Sequence, residues 1–110
     1  MAERYHVEWS PVAIVDLDDV LEFIARCETP ERAAQVYGTI AERVGALATH
    51  PRRCRIVPEL KRVGVTDYRE LIVAPYRIFF RIDGRVVGIV GLLDGRRDIE
   101  EILTVRGLKG

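Results

Sequence analysis

Residues 68–93 read YRELIVAPYRIFFRIDGRVVGIVGLL, and this stretch decides the fold. Three runs rich in β-branched and aromatic residues, 68–74, 76–82 and 86–93, are separated by turn residues. This pattern predicts three antiparallel strands that follow one another as a meander. The Asp83-Gly84 pair is a strong hairpin signal, because glycine accepts the positive φ that a tight hairpin turn requires.

The middle strand of this meander has two chemically different faces. One face carries four apolar side chains: Tyr76, Ile78, Phe80 and Ile82. The other carries Arg77, Phe79 and Arg81, because successive side chains of a strand point to opposite sides. We therefore predict a sheet with one apolar face and with Arg77 and Arg81 displayed to a charged partner on the other.

Two helices are predicted before the sheet. Ser10-Pro11 and Thr29-Pro30 each supply an N-cap residue followed by proline at the first helical position. His50-Pro51 ends the second helix, since the residue before proline avoids helical geometry. The short connection between the helices predicts an antiparallel hairpin, whose apolar stripe packs on the apolar face of the sheet.

The complete prediction is an α+β fold in a single domain over residues 1–110. It begins with a short N-terminal strand at Val7 and Trp9, continues with the antiparallel two-helix hairpin packed on a small antiparallel β-sheet, and ends with a short C-terminal helix capped by Asp98. The basic loop between hairpin and sheet is expected to contain a short extended piece at Ile56 and Val57.

The composition narrows the class of protein. An apolar fraction of 48% and a charged fraction of 31% are typical of a folded globular domain. No apolar run approaches the roughly 20 residues of a membrane-spanning helix, and the start lacks a signal-peptide core, so a cytoplasmic location is expected. Cys27, Cys54, His6 and His50 lack the spacing of metal ligands, and we expect neither a metal nor a cofactor.

The charges are divided between the two halves of the chain. Residues 1–50 contain 4 Arg and 9 Asp or Glu, giving −5, whereas residues 51–110 contain 13 Lys or Arg and 8 Asp or Glu, giving +5. The densest cationic segment is the loop 51–67. Either this basic half binds an anionic partner such as a nucleic-acid backbone, or the two halves neutralise each other within the fold.

Arginines are the main candidates for a functional site. Arg69, Arg77, Arg96 and Arg97 follow or belong to neighbouring strands, and together they form a possible phosphate-binding cluster at one end or face of the sheet. The alternative is that they make routine ion pairs, such as Arg69 with Glu70. A metal-independent ribonuclease also needs a base and an acid. The candidates for those roles are Glu59 and Tyr76.

The order of these segments resembles the RelE/ParE superfamily, the toxins of type II toxin–antitoxin (plasmid stabilisation) systems. The matching features, in chain order, are Trp9-Ser10, an acidic first helix, His50-Pro51, Pro58-Glu59-Leu60, Tyr68-Arg69-Glu70-Leu71, Tyr76-Arg77-Ile78 and Asp94-Gly95-Arg96-Arg97-Asp98. The Arg-Glu-Leu strand and the two proline-started helices are more similar to the ParE branch. Where the best-known nucleases of the superfamily carry a lysine pair and a late tyrosine, this chain has Arg69, Leu71 and about Leu103.

The resemblance implies a growth-inhibiting toxin, neutralised by a cognate antitoxin in a hetero-oligomer, that acts on DNA gyrase. The alternatives are a ribosome-dependent mRNA endonuclease that uses Glu59, Arg77 and Arg96 or Arg97, and a non-toxic relative that only binds its partner and, as a complex, operator DNA. The residues expected to bind a partner or nucleic acid are Arg69, Arg77, Arg81, Arg96, Arg97, Lys61 and Arg62. We expect an amphipathic antitoxin helix to lie across the helical hairpin, with acidic residues near Arg69, Arg77 and Arg96.

Overall fold

The computed structural model of the protein describes residues 4–95. Its elements in chain order are β1 (His6–Trp9), α1 (Pro11–Cys27), α2 (Pro30–Gly45), α3 (Pro58–Lys61), β2 (Tyr68–Val73), β3 (Tyr76–Asp83) and β4 (Val86–Asp94). Single 3-10 turns at Ala46–Ala48 and Pro51–Arg53 follow α2. The predicted C-terminal helix from Asp98 lies outside the described residues.

The predicted meander is confirmed. β2, β3 and β4 pair antiparallel in sequence order, with Leu71 opposite Ile78 and Ile78 opposite Leu92. Gly84 in the β3–β4 turn has a φ of 59°, the conformation for which glycine was expected. A β-bulge interrupts the register between β3 and β4 at Phe79 and Phe80.

β1 completes the sheet at the far side of β4, so the strand order is β1-β4-β3-β2. It runs parallel to β4, with His6 opposite Val86 and Trp9 opposite Ile89. The sheet is therefore mixed. The three strands of the meander are antiparallel, as predicted, and the N-terminal strand β1 joins them in parallel. Eighty positions of sequence separate the paired strands, and no local pattern specifies the direction of such a distant partner.

The two helices start where the sequence indicates. The Ser10 Oγ accepts a hydrogen bond from the Ala13 amide at 3.1 Å, and the Thr29 Oγ1 accepts one from the Arg32 amide at 3.0 Å. Both caps have a proline after them. The polypeptide leaves the helical hairpin through His50, whose φ of 58° places it in the left-handed region before Pro51.

An unpredicted contact fixes α1 to the sheet. β1 ends opposite Ile89, whereas β4 continues to Asp94, so within residues 4–95 no strand pairs with the second half of β4 on that side. The Asp16 carboxylate accepts a hydrogen bond from the Leu92 amide at 3.0 Å in this part of β4. An α1 side chain thus satisfies a backbone donor that the sheet leaves open.

The sheet is covered on both faces. The main core lies between the helical hairpin and the sheet; its buried residues include Ala13, Leu17, Ile40, Val44, Ile78, Phe80, Ile89 and Leu92. A second core lies on the opposite, outer face and consists of Val57, Leu60, Phe79 and Leu93. The prediction of an uncovered outer face that displays Arg77 is wrong, because the segment around α3 covers it and leaves Arg77 9% exposed.

The segment that covers the outer face is held along the edge of β2. The Val57 amide donates to the Tyr68 carbonyl, and the Glu70 amide donates to the Arg55 carbonyl, each at 3.0 Å. Ile56 forms an isolated antiparallel bridge with Arg69, as expected for a short extended piece. Within residues 4–95, no helix combines the length and apolar character needed to cross a membrane.

Candidate functional site

The outer face contains a buried ion-pair network centred on Arg77. Its Nη1 and Nη2 donate to the two carboxylate oxygens of Glu59, each at 2.8 Å, and its Nε donates to Glu70. Glu70 accepts a second hydrogen bond from the Nε of Arg55. The network therefore joins α3, β2, β3 and the loop before α3.

Local structure explains why these side chains meet. Glu59 lies in the first turn of α3, which Leu60 anchors in the outer core. Arg77 lies over the ring of Phe79, with its guanidinium carbon 5.4 Å from the ring centroid. Gly95 approaches from the end of β4: a β-carbon there would lie 3.2 Å from the Arg77 Cγ and Cδ and 3.1 Å from the Pro75 carbonyl. A side chain at this position would require the Pro75 carbonyl and the Arg77 side chain to shift slightly.

The network fixes the ionisation of Glu59. The hydrogen bonds from Arg77 lower the pKa of Glu59 from 4.5 to about 2, against the opposing effect of burial. The same pairing, led by the hydrogen bonds to Glu59, raises the pKa of Arg77 further above its usual range. A general base works best with a pKa near the working pH. At neutral pH, Glu59 is thus a weakly basic carboxylate engaged by an arginine.

The predicted arginine cluster is divided by the sheet. Arg69 lies opposite Phe80, on the side that faces the helices, and Arg77 lies opposite Ile72, on the outer side. The Nη1 of Arg69 donates to the carbonyls of Cys54 at 2.6 Å and Arg52 at 3.2 Å. The suggested Arg69–Glu70 pair is not formed, because Glu70 binds Arg55 and Arg77 instead.

The remaining predicted residues are dispersed. Arg81, Lys61 and Arg62 are exposed, whereas Tyr76 is half-buried against the main core, on the other side of the sheet from Glu59. The structure thus does not bring together the candidate base and acid. Arg96 and Arg97 lie outside the described residues. Among residues 4–95, no group of three or more His, Cys, Asp or Glu is arranged to hold a metal ion.

The sequence did not single out an apolar groove between β1, α1 and α2. This groove has a volume of about 460 Å³, and its lining residues are Val7, Trp9, Ile14, Leu17, Asp18, Tyr37, Ala41, Val44 and Gly45. Ile14 is 47% exposed and Tyr37 is 51% exposed. The available signal was the apolar residue Ile14, which lies outside the α1 stripe that is predicted to be buried: Ala13, Leu17, Val20, Leu21 and Ile24.

Known proteins are similar to this chain in sequence and in fold. Residues 7–99 match the family model of the ParE toxin of the type II toxin–antitoxin system parDE. No curated protein matches the sequence significantly. A structure described as the chromosomal ParDE toxin–antitoxin system from P. aeruginosa is 23% identical, with a TM-score of 0.68 over 81% of this chain and 94% of that one.

A second similar structure is the toxin–antitoxin complex RelBE2 from Mycobacterium tuberculosis. It is 20% identical, with a TM-score of 0.58 over 84% of this chain and 92% of that one. At such identities the two structures establish the fold. The family match spans most of the sequence and confirms the resemblance inferred from it. This chain belongs to the ParE toxin family of type II toxin–antitoxin systems.

Proposed function

We propose that the protein inhibits growth by acting on DNA gyrase and is held inactive by a cognate antitoxin. Membership of the ParE family supports this action over mRNA cleavage. The observation that carries the proposal is the pairing of Glu59 with Arg77 through two 2.8 Å hydrogen bonds. The residues that a nuclease would use as base and phosphate ligand are engaged with each other.

The chemistry of that pair disfavours a nuclease in two ways. With a pKa of about 2, Glu59 has little tendency to take a proton from an attacking hydroxyl at neutral pH. The guanidinium edge with which Arg77 would bind a phosphate bidentately already binds a carboxylate. If Glu59 and Arg77 separated, Arg77 would still be paired with the fully buried carboxylate of Glu70.

The test is a supercoiling assay with purified gyrase, relaxed plasmid and ATP. We expect the free protein to suppress supercoiling in a concentration-dependent manner and to trap cleaved plasmid, which appears as linear DNA after detergent and protease treatment. Adding the antitoxin in equimolar amount is expected to restore supercoiling.

Glu59→Gln is the variant that separates the candidate actions. It removes the carboxylate base but retains the shape of the side chain, so a gyrase inhibitor keeps its effect once circular dichroism has confirmed the fold. The same samples are added to a translation reaction, in which primer extension detects mRNA cleavage. Cleavage in the ribosomal A site that Glu59→Gln abolishes would replace the proposal by the interferase. No effect in either assay would indicate a relative that only binds its partner.

We further propose that the antitoxin places an amphipathic helix in the groove between β1, α1 and α2. The groove offers the exposed apolar surface of Ile14 and Tyr37 next to Trp9. Aromatic side chains at the centre of an interface commonly dominate binding energy. Because Arg77 is engaged by Glu59 and Glu70, it does not offer the free guanidinium expected for acidic antitoxin residues, and apolar contacts supply most of the affinity in this proposal.

The docking site predicts different effects for two exposed aromatic residues. Tyr37→Ala is expected to weaken antitoxin binding about 30-fold or more, the equivalent of a loss of about 2 kcal/mol at a hot spot. Phe23→Ala is the matched control, because Phe23 is 61% exposed on α1 and does not line the groove. Titration calorimetry with the antitoxin measures both. A large loss in Phe23→Ala with none in Tyr37→Ala would place the helix on the solvent face of α1.

A further inference from the structure

Three arginines from separate parts of the chain line one small polar pocket. Arg52 comes from the turn after His50, Arg69 from β2 and Arg81 from β3. The pocket has a volume of about 180 Å³ and is completed by Thr66, Asp67 and Ile82. We call it the arginine pocket. It is distinct from the network around Arg77, which contributes no side chain to it.

The backbone brings these arginines together. Tyr68 pairs with Arg81 and Arg69 with Phe80, so Arg69 and Arg81 lie at adjacent register positions on opposite faces of the sheet, at the end where β2 begins and β3 finishes. The 3-10 turn Pro51–Arg53 is fixed beside them, because the Arg69 Nη1 donates to the Arg52 and Cys54 carbonyls. These hydrogen bonds thus hold the Arg69 side chain in place, whereas Arg52 and Arg81 are exposed side chains at the rim of the pocket.

The pocket has an excess of positive charge. Three arginines and a single carboxylate residue, Asp67, line it. In the part of the chain that the structure describes, Arg52 and Arg81 take part in no ion pair. Guanidinium groups held close together without counter-charges favour an anion between them, and phosphate matches their planar donor geometry.

The surroundings extend this charge across one end of the sheet. β1 and β4 begin at this end, since His6 lies opposite Val86, and β3 ends there at Asp83. Arg4, Arg53 and Arg85 belong to the segments that meet at this end together with Asp83, and all four are exposed. Glu28 lies toward the other end, where it lines a pocket with Ala74 and Pro75 of the β2–β3 turn. One end of the sheet is therefore cationic, and the connection between α1 and α2, which carries Glu28, lies away from it.

We propose that the arginine pocket binds a phosphate of the backbone of double-stranded DNA. A water molecule occupies about 30 Å³ in the liquid, and the pocket has a volume of about 180 Å³. The pocket is therefore large enough for a phosphate group with part of its hydration. An acidic protein segment is disfavoured, because such segments need apolar anchors and Ile82 is the one apolar lining residue, whereas the apolar groove is formed elsewhere by Trp9 and Tyr37.

This inference goes beyond the proposed function, because it requires neither gyrase nor antitoxin. Phosphate contacts carry no sequence information, so binding is independent of DNA sequence and weakens with salt. Each phosphate that is neutralised contributes about −0.9 to the slope of log affinity against log salt concentration. The single phosphate held in the arginine pocket therefore accounts for a slope of about −0.9.

The test is fluorescence anisotropy with a labelled 25-base-pair duplex at salt concentrations from 50 to 200 mM. The double variant Arg52→Gln/Arg81→Gln is expected to bind at least tenfold more weakly at 100 mM salt and to lose about 0.9 from the magnitude of the slope. The matched control is Arg26→Gln/Arg32→Gln, which removes the same charge from exposed positions on α1 and α2. It is expected to change the affinity less than threefold, since exposed charges beyond about 10 Å are largely screened at this salt.

Four outcomes would overturn the proposal. The first is an absence of duplex binding by the wild-type protein at 50 mM salt, and the second is an equal loss of affinity in the control variant. The third is that polyglutamate of equal charge competes as effectively as DNA does. The fourth is tighter binding of single-stranded RNA, with the same sensitivity to Arg52→Gln/Arg81→Gln. Within residues 4–95, neither variant removes a hydrogen bond or ion pair of a buried residue, and thermal unfolding checks that both are folded. Because gyrase is not in the assay, its result is independent of the gyrase proposal.

Discussion

Arg77→Met is expected to lower the free energy of unfolding at pH 7 by about 3–5 kcal/mol, the usual cost of removing one partner from a buried ion pair. The variant keeps most of the side-chain volume but leaves the carboxylate of Glu70, which is fully buried, without one of its two arginines. Glu59 loses both of its 2.8 Å hydrogen bonds. Urea denaturation followed by circular dichroism measures the loss.

Arg81→Met provides the matched control on the same strand. Arg81 is exposed, and within residues 4–95 it makes no ion pair, so its replacement is expected to change stability by no more than about 0.5 kcal/mol. Equal stabilities for the two variants would show that the network around Arg77 contributes nothing to folding, and would return Arg77 to the set of residues available for phosphate binding.

The dependence on pH gives an independent check of this network. The folded-state pKa of Glu59, about 2, lies below its usual value of 4.5, so the pair contributes its full stabilisation above pH 4.5. That contribution is lost as the pH falls from 4.5 toward 2, because the carboxylate must be protonated. The difference in stability between the wild-type protein and Arg77→Met is therefore expected to narrow over this interval. A constant difference would contradict the assignment.

Phe79→Ala is expected to destabilise the protein by about 3–5 kcal/mol, as for other buried phenylalanines. Phe79 is 1% exposed and packs against Val57, Leu60 and Leu93 on the outer face of the sheet. A sheet with a single apolar face would place this ring in solvent, where its removal has little effect. The size of the loss thus distinguishes a sheet covered on both faces from the one-sided sheet that the alternation of residues predicts.

Phe80→Ala and Phe23→Ala give the reference losses of stability for a buried and for an exposed phenylalanine. Phe80 is fully buried in the main core, and its replacement should cost as much as that of Phe79. Phe23 is 61% exposed, and its replacement should change stability by no more than about 0.5 kcal/mol. Chemical denaturation of the three variants in parallel makes the comparison. A Phe79→Ala variant as stable as Phe23→Ala would show that the outer core is not formed in solution.

The parts of the fold that could be predicted are specified by local chemistry. The Asp83-Gly84 turn and the β-branched runs define the meander, and Ser10-Pro11 and Thr29-Pro30 define the starts of the helices. In each case the residues that carry the signal are neighbours in the chain. The parallel pairing of β1 with β4 depends on residues 80 positions apart, so local patterns do not determine its direction.

The same reasoning explains the error at the outer face. Arg77 and Arg81 share one face of β3, and the alternation of residues alone predicts both as exposed, although the structure buries Arg77 and exposes Arg81. The difference arises from the basic loop, whose Val57 and Leu60 pack on Phe79. A phenylalanine between two arginines, together with apolar residues in a cationic loop, was the signal of this second core.

The candidate site was predictable in its members but not in their arrangement. The resemblance to known toxins selected Glu59 and Arg77, and the structure joins these two side chains to each other. It did not select Arg55 or Glu70 as their partners, because charged side chains in loops and strands usually belong to the solvated surface. Arg52, which completes the arginine pocket, was recognised only as part of a basic loop.

The hydrogen bond from the Leu92 amide to Asp16 has a consequence for how copies of the protein meet. An unpaired strand edge invites another chain to add a strand, which leads to aggregation. Past the end of β1, that edge of β4 is occupied by an acidic side chain from α1, and at the opposite edge of the sheet Arg43 donates to the Ile72 carbonyl at 3.3 Å. A strand arriving at either position would have to displace a charged group, so the helical hairpin protects these two strand edges as well as burying the core of the sheet.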